Sequence, residues 1–519
     1  MKFNVIVKTS TSLTIELKNQ DVVTSSVAYD VYLNDEKIRS KNTQNVFSIY
    51  HLQPDTEYAI KLVGVNGQMT TKLVQTDLES LCLNVRRFNA MGDGVADDTQ
   101  AIQAAIMACP AHGRVLIPPG TYAVKTIFLK SDMTLEIAKG ATLSYTGAFH
   151  TGAILPGYLV DPFDGEYYLG SWEGNPLDSY TALIQGINIE NVNIIGEGVL
   201  DGNGQRFWDH PKVKKGAFRP RLLQIIHAKF VTLQGITVQN SPSWTIHPLF
   251  SDALVFADLT IINPKDSPNT DGLNPESCNR VVIVGVYFSV GDDCIAIKSG
   301  KIYLGRKLRK ASSHITIRNC SMNFGHGAVV IGSEMAGGVK HVVVSQCVFN
   351  LTDRGLRIKT RRGRGKDAIV DEIHFKNIKM EGVLTPLVVN SFYFCDPDGH
   401  SDYVKTKEKL PIDERTPYIG HLVFENIQST NHSIAAGFFY GLPEQPIESL
   451  VFKNSHFTGA AHAEPGYPAM MDDSLAYCQA GFILTHVKSV IMDHVTFEGI
   501  IGEPVVAVDV DEVVMTHVD

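Results

Sequence analysis

The 519-residue chain has no run of 18 or more apolar residues, no Cys-x-x-Cys pair and no surplus of basic charge. The first absence excludes an α-helical membrane span, which needs about 20 consecutive apolar residues. The second removes the usual signatures of structural zinc and of thiol redox chemistry. The eight cysteines (Cys82, Cys109, Cys278, Cys294, Cys320, Cys347, Cys395, Cys478) are scattered. Several sit in strand-like runs such as "RNCSMNF" and "SQCVFN", where a free thiol serves as a small hydrophobe. The third absence, a formal net charge of -9 with a pI near 6.1, argues against a general nucleic-acid binder. The N-terminal "MKFNVIVKTSTSLTIELKNQ" alternates like a strand and lacks the apolar core of a secretory signal. The expectation for the chain as it stands is therefore cytoplasmic, with no membrane and no nucleic-acid partner.

What the chain does have is material for a large core, 44% of it hydrophobic against 19% charged, and a length that suggests more than one domain. Residues 1–78 alternate strand-like runs with polar turns: "NVIVKT", "SLTIEL", "AYDVYLNDEKI", "NVFSIYHL", "EYAIKLVGV" and "TTKLVQT". Short strands at this spacing predict a β-sandwich. The stretch "LQPDTEY" resembles the fibronectin type III signature, in which the tyrosine, here Tyr58, makes a corner contact at a strand start. A spacer or packing role is expected of this domain.

From residue 79 to 519 the pattern changes. Asp98 or Thr99 offers an N-cap to a short helix whose apolar face is Ala101, Ile102, Ala105, Ile106 and Ala108. Such a helix suits the end of an open solenoid, which otherwise exposes core and strand edge. From about residue 180 one phrase keeps returning: "KFVTLQGITVQNS", "ALVFADLTIINP", "NRVVIVGVYFSV", "SHITIRNCSMNF", "KHVVVSQCVFN", "DEIHFKNIKMEG". Its apolar positions Val231, Leu254, Val281, Ile315, Val342 and Ile373 are separated by 23, 27, 34, 27 and 31 residues. Short β-branched strands with Asn and Gly at the corners predict an all-β fold, a parallel β-helix. Tandem βαβ units would need crossover helices of ten or more residues, which the polar, Gly-containing gaps do not supply.

On such a solenoid, residues about one coil apart stack on one face, about 4.8 Å from each other. Asp271 precedes Asp292 by 21 residues and Asp293 by 22, so three carboxylates fall on neighbouring coils. His326 and then Arg357 and Lys359 follow on the next coils. Taken singly, each has a plain reading: "NTDG" as a turn, the aspartate pair as a solvated turn or a calcium site, His326 as a structural hydrogen-bonder, "KTRRGRGK" as an exposed basic loop. Together they fit hydrolysis of a glycosidic bond, where one carboxyl is held protonated by its like-charged neighbours and others stay ionised to activate water.

The strings NTDG, GDD, GHG and RIK, in this order on this repeat, resemble glycoside hydrolase family 28, the polygalacturonases and related pectin hydrolases. The resemblance runs from about Phe88 to beyond residue 500. It implies a right-handed β-helix that cleaves α-1,4-galacturonosyl linkages with inversion and needs neither cofactor nor metal. It further implies Asp292 as general acid, with Asp271 and Asp293 positioning and activating water. His326 would tune the acid, and Asn269 would help fix the water or the sugar.

Arg357 and Lys359 would bind the carboxylate of polygalacturonate or oligogalacturonides, and Arg362 and Arg364, with Arg361 and Lys366, would add to a basic cleft. The string "RIKTRRGRG" looks like bacterial exo-acting members. Two long segments, residues 155–180 and 390–418, interrupt the coils and are expected to wall off one cleft end, with Trp172, Tyr167 and Tyr393 shaping a closed subsite. Trp172 and Trp244 serve equally well as packing residues. Three alternatives stay open: a family 28 hydrolase of rhamnogalacturonan or xylogalacturonan, a calcium-dependent pectate lyase on the same fold, and a non-catalytic carbohydrate-binding β-helix.

Overall fold

The computed structural model describes residues 1–147, 152–162, 165–210 and 219–518. Seven strands open the chain: β1 (Phe3–Lys8), β2 (Leu13–Leu17), β3 (Thr24–Leu33), β4 (Glu36–Gln44), β5 (Val46–Ile49), β6 (Glu57–Gly64) and β7 (Met69–Gln75). They form two antiparallel sheets, ordered β1-β2-β5 and β4-β3-β6-β7. Phe3, Leu13, Ile15, Tyr29, Val31, Ile60 and Leu62 fill the space between them with no exposure at all. The Tyr58 hydroxyl accepts a hydrogen bond from the Gln53 backbone N–H at 2.8 Å, tying the start of β6 to the turn before it.

The run "AYDVYLNDEKI" reads as one strand by alternation, but the chain reverses within it. Asn34 and Asp35 both take positive φ (47° and 67°), the conformation of a tight primed hairpin turn. The returning strand β4 is mostly exposed and polar, so apolar alternation gives it no signal.

Beyond the sandwich, a 29-stranded sheet winds through the rest of the chain, with parallel pairing from coil to coil. Val231 pairs with Leu254, Leu254 with Val281, Val281 with Ile315, Ile315 with Val342 and Val342 with Ile373. The column continues through Leu422, Leu450 and Val490. All of these side chains are buried in one continuous core. The irregular spacing in sequence is thus loop length, while register in space is constant.

Helix α1 (Thr99–Ala108) packs Thr99, Ile102, Ala105 and Ile106 inward at the start of this core, while Ala108 is exposed. Asp98 precedes the helix but does not cap it. Its carboxylate accepts instead from the backbone N–H groups of Met91 and Gly92 at 2.6 and 2.9 Å, and Asp97 accepts from Thr99 N–H at 3.1 Å.

The sandwich lies along one corner of the solenoid. Ser12 and Thr14 bond Gln234, Glu16 accepts from Arg318 and Asn319, Asn45 bonds Asn319, Gln346 reaches the Asp21 carbonyl and Asn377 reaches Gln20. Val7 and Val46 pack with Ala257 and Val284 in a small buried cluster. Close approach depends on two glycines with positive φ. A Cβ on Gly235 would fall 1.7 Å from the Tyr50 hydroxyl, and one on Gly285 would fall 2.5 Å from Val46.

Gly235→Ala is expected to cost about 1–3 kcal/mol through backbone strain and displaced Tyr50, read as a lower Tm. Faster proteolysis of the connecting segment 76–81 should accompany it. A variant with wild-type Tm and wild-type protease resistance would show that the docking does not depend on this contact.

Candidate active site

Register alone assembles the cluster. Leu273 bridges to Ile295, and two residues upstream of each stand Asp271 and Asp293. Ile295 pairs with Val329, which sets Asp292 beside His326. Val330 pairs with Arg357 and Gly332 with Lys359, completing the surface. A cavity of about 590 Å³ opens there, lined by Asn269, the three aspartates, His326, Arg357 and Lys359 among others.

The three carboxylates live in different surroundings. Asp293 is 3% exposed in its side chain. Its Oδ2 is 2.8 Å from Lys359 Nζ and its Oδ1 is 3.8 Å from Arg357 Nη1. That Oδ1 is buried without a hydrogen-bond partner, an acceptor available to a water or a sugar hydroxyl. Asp271, also almost fully buried, accepts from Asn274 Nδ2 at 2.7 Å and lies 4.0 Å from Lys298 Nζ. Asp292 is the most accessible of the three, 20% exposed, and lies 3.2 Å from His326 Nδ1.

These differences decide where protons sit. Burial, reinforced by the Asp292 charge, pushes Asp271 up to about 8 against the opposing pull of Lys298. Burial works the same way on Asp292, but the hydrogen bond and charge of His326 override it and hold Asp292 below its ordinary value. The same hydrogen bond raises His326 to about 9, more than offsetting its own burial. These pulls favour a proton on Asp271 over Asp292, the residue that the sequence resemblance makes the general acid.

Several residues here carried no signal in the sequence reading. Lys298 is buried between Glu334 Oε2 (2.8 Å) and Asp271, with its ammonium 4.4 Å from the Trp244 ring centre. Lys298 more than offsets the burial of Glu334 and holds it down to about 2. Arg221 lies between two parallel indoles, its guanidinium carbon 4.6 Å from the Trp172 ring and 4.7 Å from the Trp244 ring. Arg219 donates to Asn269 Oδ1 at 2.5 Å and so orients that amide. The signal available for Lys298 was its place one residue past the paired strand Ile295–Ile297, which Asp293 precedes by two residues.

The basic run divides differently from the expectation. Arg357 and Lys359 face the cleft and flank the Tyr393 ring. Arg362 does not face it. It is 1% exposed and grips Glu444 through two bonds of 2.6 and 2.8 Å, donating further to the carbonyls of Thr406 and Glu408. Arg364 is likewise buried, on Asp396 and Cys395. Arg361 pairs with Asp398 and Asp396, and Lys366 with Glu414 on the surface. These cations anchor the 390–418 insertion, because past the end of the strand the chain turns beneath it and meets its carboxylates.

Both insertions reach the cavity, the first through Trp172 and Glu173, the second through Tyr393, Cys395 and Asp396. Phe163 and Asp164 of the first lie outside the described residues. Tyr167 turns away from the cleft and stacks on His227 at 4.5 Å. Five cysteines are buried as expected, whereas Cys82, Cys395 and Cys478 are only partly so.

A parallel β-helix with clustered carboxylates and cations in a cleft over its coils has the groups a glycoside hydrolase needs. The sequence profile described as "Glycosyl hydrolases family 28" matches residues 114–464, and the chain belongs to that family. Among its relatives, a probable polygalacturonase of Vitis vinifera is 29% identical over 388 residues, covering 73% of this chain and 74% of that protein. An exo-poly-alpha-D-galacturonosidase of Dickeya chrysanthemi is 26% identical over 399 residues, covering 68% and 64%. In fold, the family 28 exopolygalacturonase of Yersinia enterocolitica superimposes with a TM-score of 0.73 over 99% of this chain and 98% of its own, at 19% identity.

The raised Asp271 makes a signed prediction. Its ordinary value is 3.8 and its folded value about 8, so the stability it allows is fully present below about pH 4 and is lost as pH rises through 8. Asp271→Asn is expected to match wild-type Tm near pH 4 and to exceed it at pH 8 by about 2 °C or more. A Tm difference that stays constant between those pH values would contradict this placement of the proton.

Proposed function

We infer that this polygalacturonase-family hydrolase removes galacturonate units from the non-reducing end of oligogalacturonides by inverting hydrolysis of α-1,4 linkages. The observation that carries the reading is the three-carboxylate cluster on adjacent coils, in which Asp292 is the most exposed at 20% while Asp271 and Asp293 are almost fully buried. The exo-poly-alpha-D-galacturonosidase activity of the Dickeya relative and the two insertions lining the cavity support the exo mode.

In this reading, substrate decides which carboxyl is the acid. A sugar filling the cleft strips the remaining water from Asp292 and brings its own carboxylate close, and both effects disfavour the charged form. The shared proton then moves to Asp292, which passes it to the leaving glycosidic oxygen. Asp271, now ionised beside Lys298, and Asp293, beside Lys359, hold the attacking water and take its proton. Arg357, flanking Tyr393, meets the substrate carboxylate. Each aspartate is already answered by a protein cation or hydrogen-bond donor, a setting suited to proton transfer and unlike the oxygen-rich shell that calcium prefers.

Trigalacturonate and polygalacturonate, each with and without chelator, are expected to yield saturated monogalacturonate, chelator-insensitively and with inverted anomeric configuration by NMR. Asp292→Asn should lower kcat by about 10²–10⁴-fold, the usual worth of a positioned acid, with trigalacturonate binding retained. Unsaturated, chelator-sensitive products would make the enzyme a lyase, and turnover confined to decorated pectins would reassign its substrate.

A further inference from the structure

The two insertions that line the cleft meet at one ammonium group. Lys301 follows the strand Ile295–Ile297 and stands just before the short helix Ile302–Leu308, on the solenoid itself. Its Nζ is 2.6 Å from Asp396 Oδ1 on the second insertion and 3.5 Å from Glu173 Oε2 on the first. Its backbone N–H donates to the Gly174 carbonyl at 2.9 Å. Gly174 has φ +70°, and a Cβ there would fall 2.6 Å from Lys301 N, so the first insertion can press onto this point only as glycine.

The two arms of this bridge are unequal. Asp396 is 17% exposed and is also held by Arg361 and Arg364, at 3.3 and 3.2 Å. The hydrogen bond to Lys301, joined by Arg364 and Arg361, holds it well below the usual carboxylate range despite its burial. Glu173 is 46% exposed, and among the described residues its one salt bridge is to the same Lys301, with Arg219 and Arg221 acting on it from farther off. A partly buried, multiply paired carboxylate resists separation, whereas an exposed pair contributes little on its own. Asp396 is therefore the firm arm of the bridge and the Glu173 side chain the weaker one, although Trp172 and Gly174 on either side of Glu173 are held by Arg221 and by the Lys301 backbone.

We propose that Lys301 is a specificity-determining clasp, joining Glu173 and Asp396 across one end of the cleft so that the site accepts chain ends and refuses chain interiors. All three residues line the cavity that holds the aspartates, so the bridge lies in the path an uninterrupted polysaccharide would take. The clasp rests on the exo reading above and supplies its physical cause. Without the ammonium, two carboxylates face each other across the gap, and their repulsion drives the exposed Glu173 side chain away from Asp396 and opens the bridge.

The test compares wild type, Lys301→Met, Lys301→Arg and Glu173→Gln on polygalacturonate, scoring viscosity loss per bond cleaved and product length, with Tm as a check on folding. Wild type should release monogalacturonate with little loss of viscosity. Lys301→Met should lose half the viscosity at a bond-cleavage level about tenfold lower and release intermediate oligomers. Glu173→Gln should shift the same way but less, and Lys301→Arg, which keeps the bridge, should retain the wild-type pattern. Exo products from a folded Lys301→Met and from Glu173→Gln would overturn the clasp and leave the exo reading standing. Internal cleavage by wild type itself would overturn both.

Discussion

Coil-to-coil register governs this molecule. Parallel pairing repeats at about 4.8 Å, and one slipped residue would turn every inward side chain outward. The core column from Val231 to Val490 shows the register held through insertions of very different length. The same constraint that buries the valines sets Asp271 beside Asp293 and Asp292 beside His326. Chemistry here is a by-product of stacking, with the catalytic spacing borrowed from the hydrogen-bond repeat.

Stacking like charges is costly, and the site answers that cost with cations of two kinds. Lys359 and Lys298 come from the coils and are themselves buried, so Asp293 and Asp271 are met from within the scaffold, while Asp292 is met by the more exposed His326. Arg361, Arg362 and Arg364 come from just past a strand end and spend their charge on carboxylates beyond the aspartate triad. A chain with a net charge of -9 thus holds a dense positive network beneath its cleft, nearly all of it compensated. What remains for an acidic sugar is the small set of groups around Arg357 and Tyr393.

The legible part of this protein is its periodic part. Alternating apolar strands marked the coils, and the spacing of Asp271, Asp292, His326 and Arg357 placed them together because a solenoid turns sequence distance directly into height. Pairings that skip coils were not legible. Arg362 and Arg364 look like their neighbours Arg357 and Lys359 in sequence, and only the path of the 390–418 segment and the approach of Glu444 separate them. Strand β4 escaped because an exposed edge has no apolar alternation to show. The unequal settings of Asp271 and Asp293 escaped as well, since they depend on which buried lysine reaches each carboxylate.

The sandwich contacts the solenoid at Gln234, Ala257, Val284, Asn319, Gln346 and Asn377, one after another up a single corner. Those coils are the ones that carry the aspartates, His326, Arg357 and Lys359. A solenoid touches itself only through nearest neighbours, so its softest deformations are bending and the opening of one gap between coils. A rigid body fastened across six levels removes those modes where they would spread the carboxylates. Mechanically the N-terminal domain is a splint, and the separation between the stacked carboxylates is held from the outside as well as from the core.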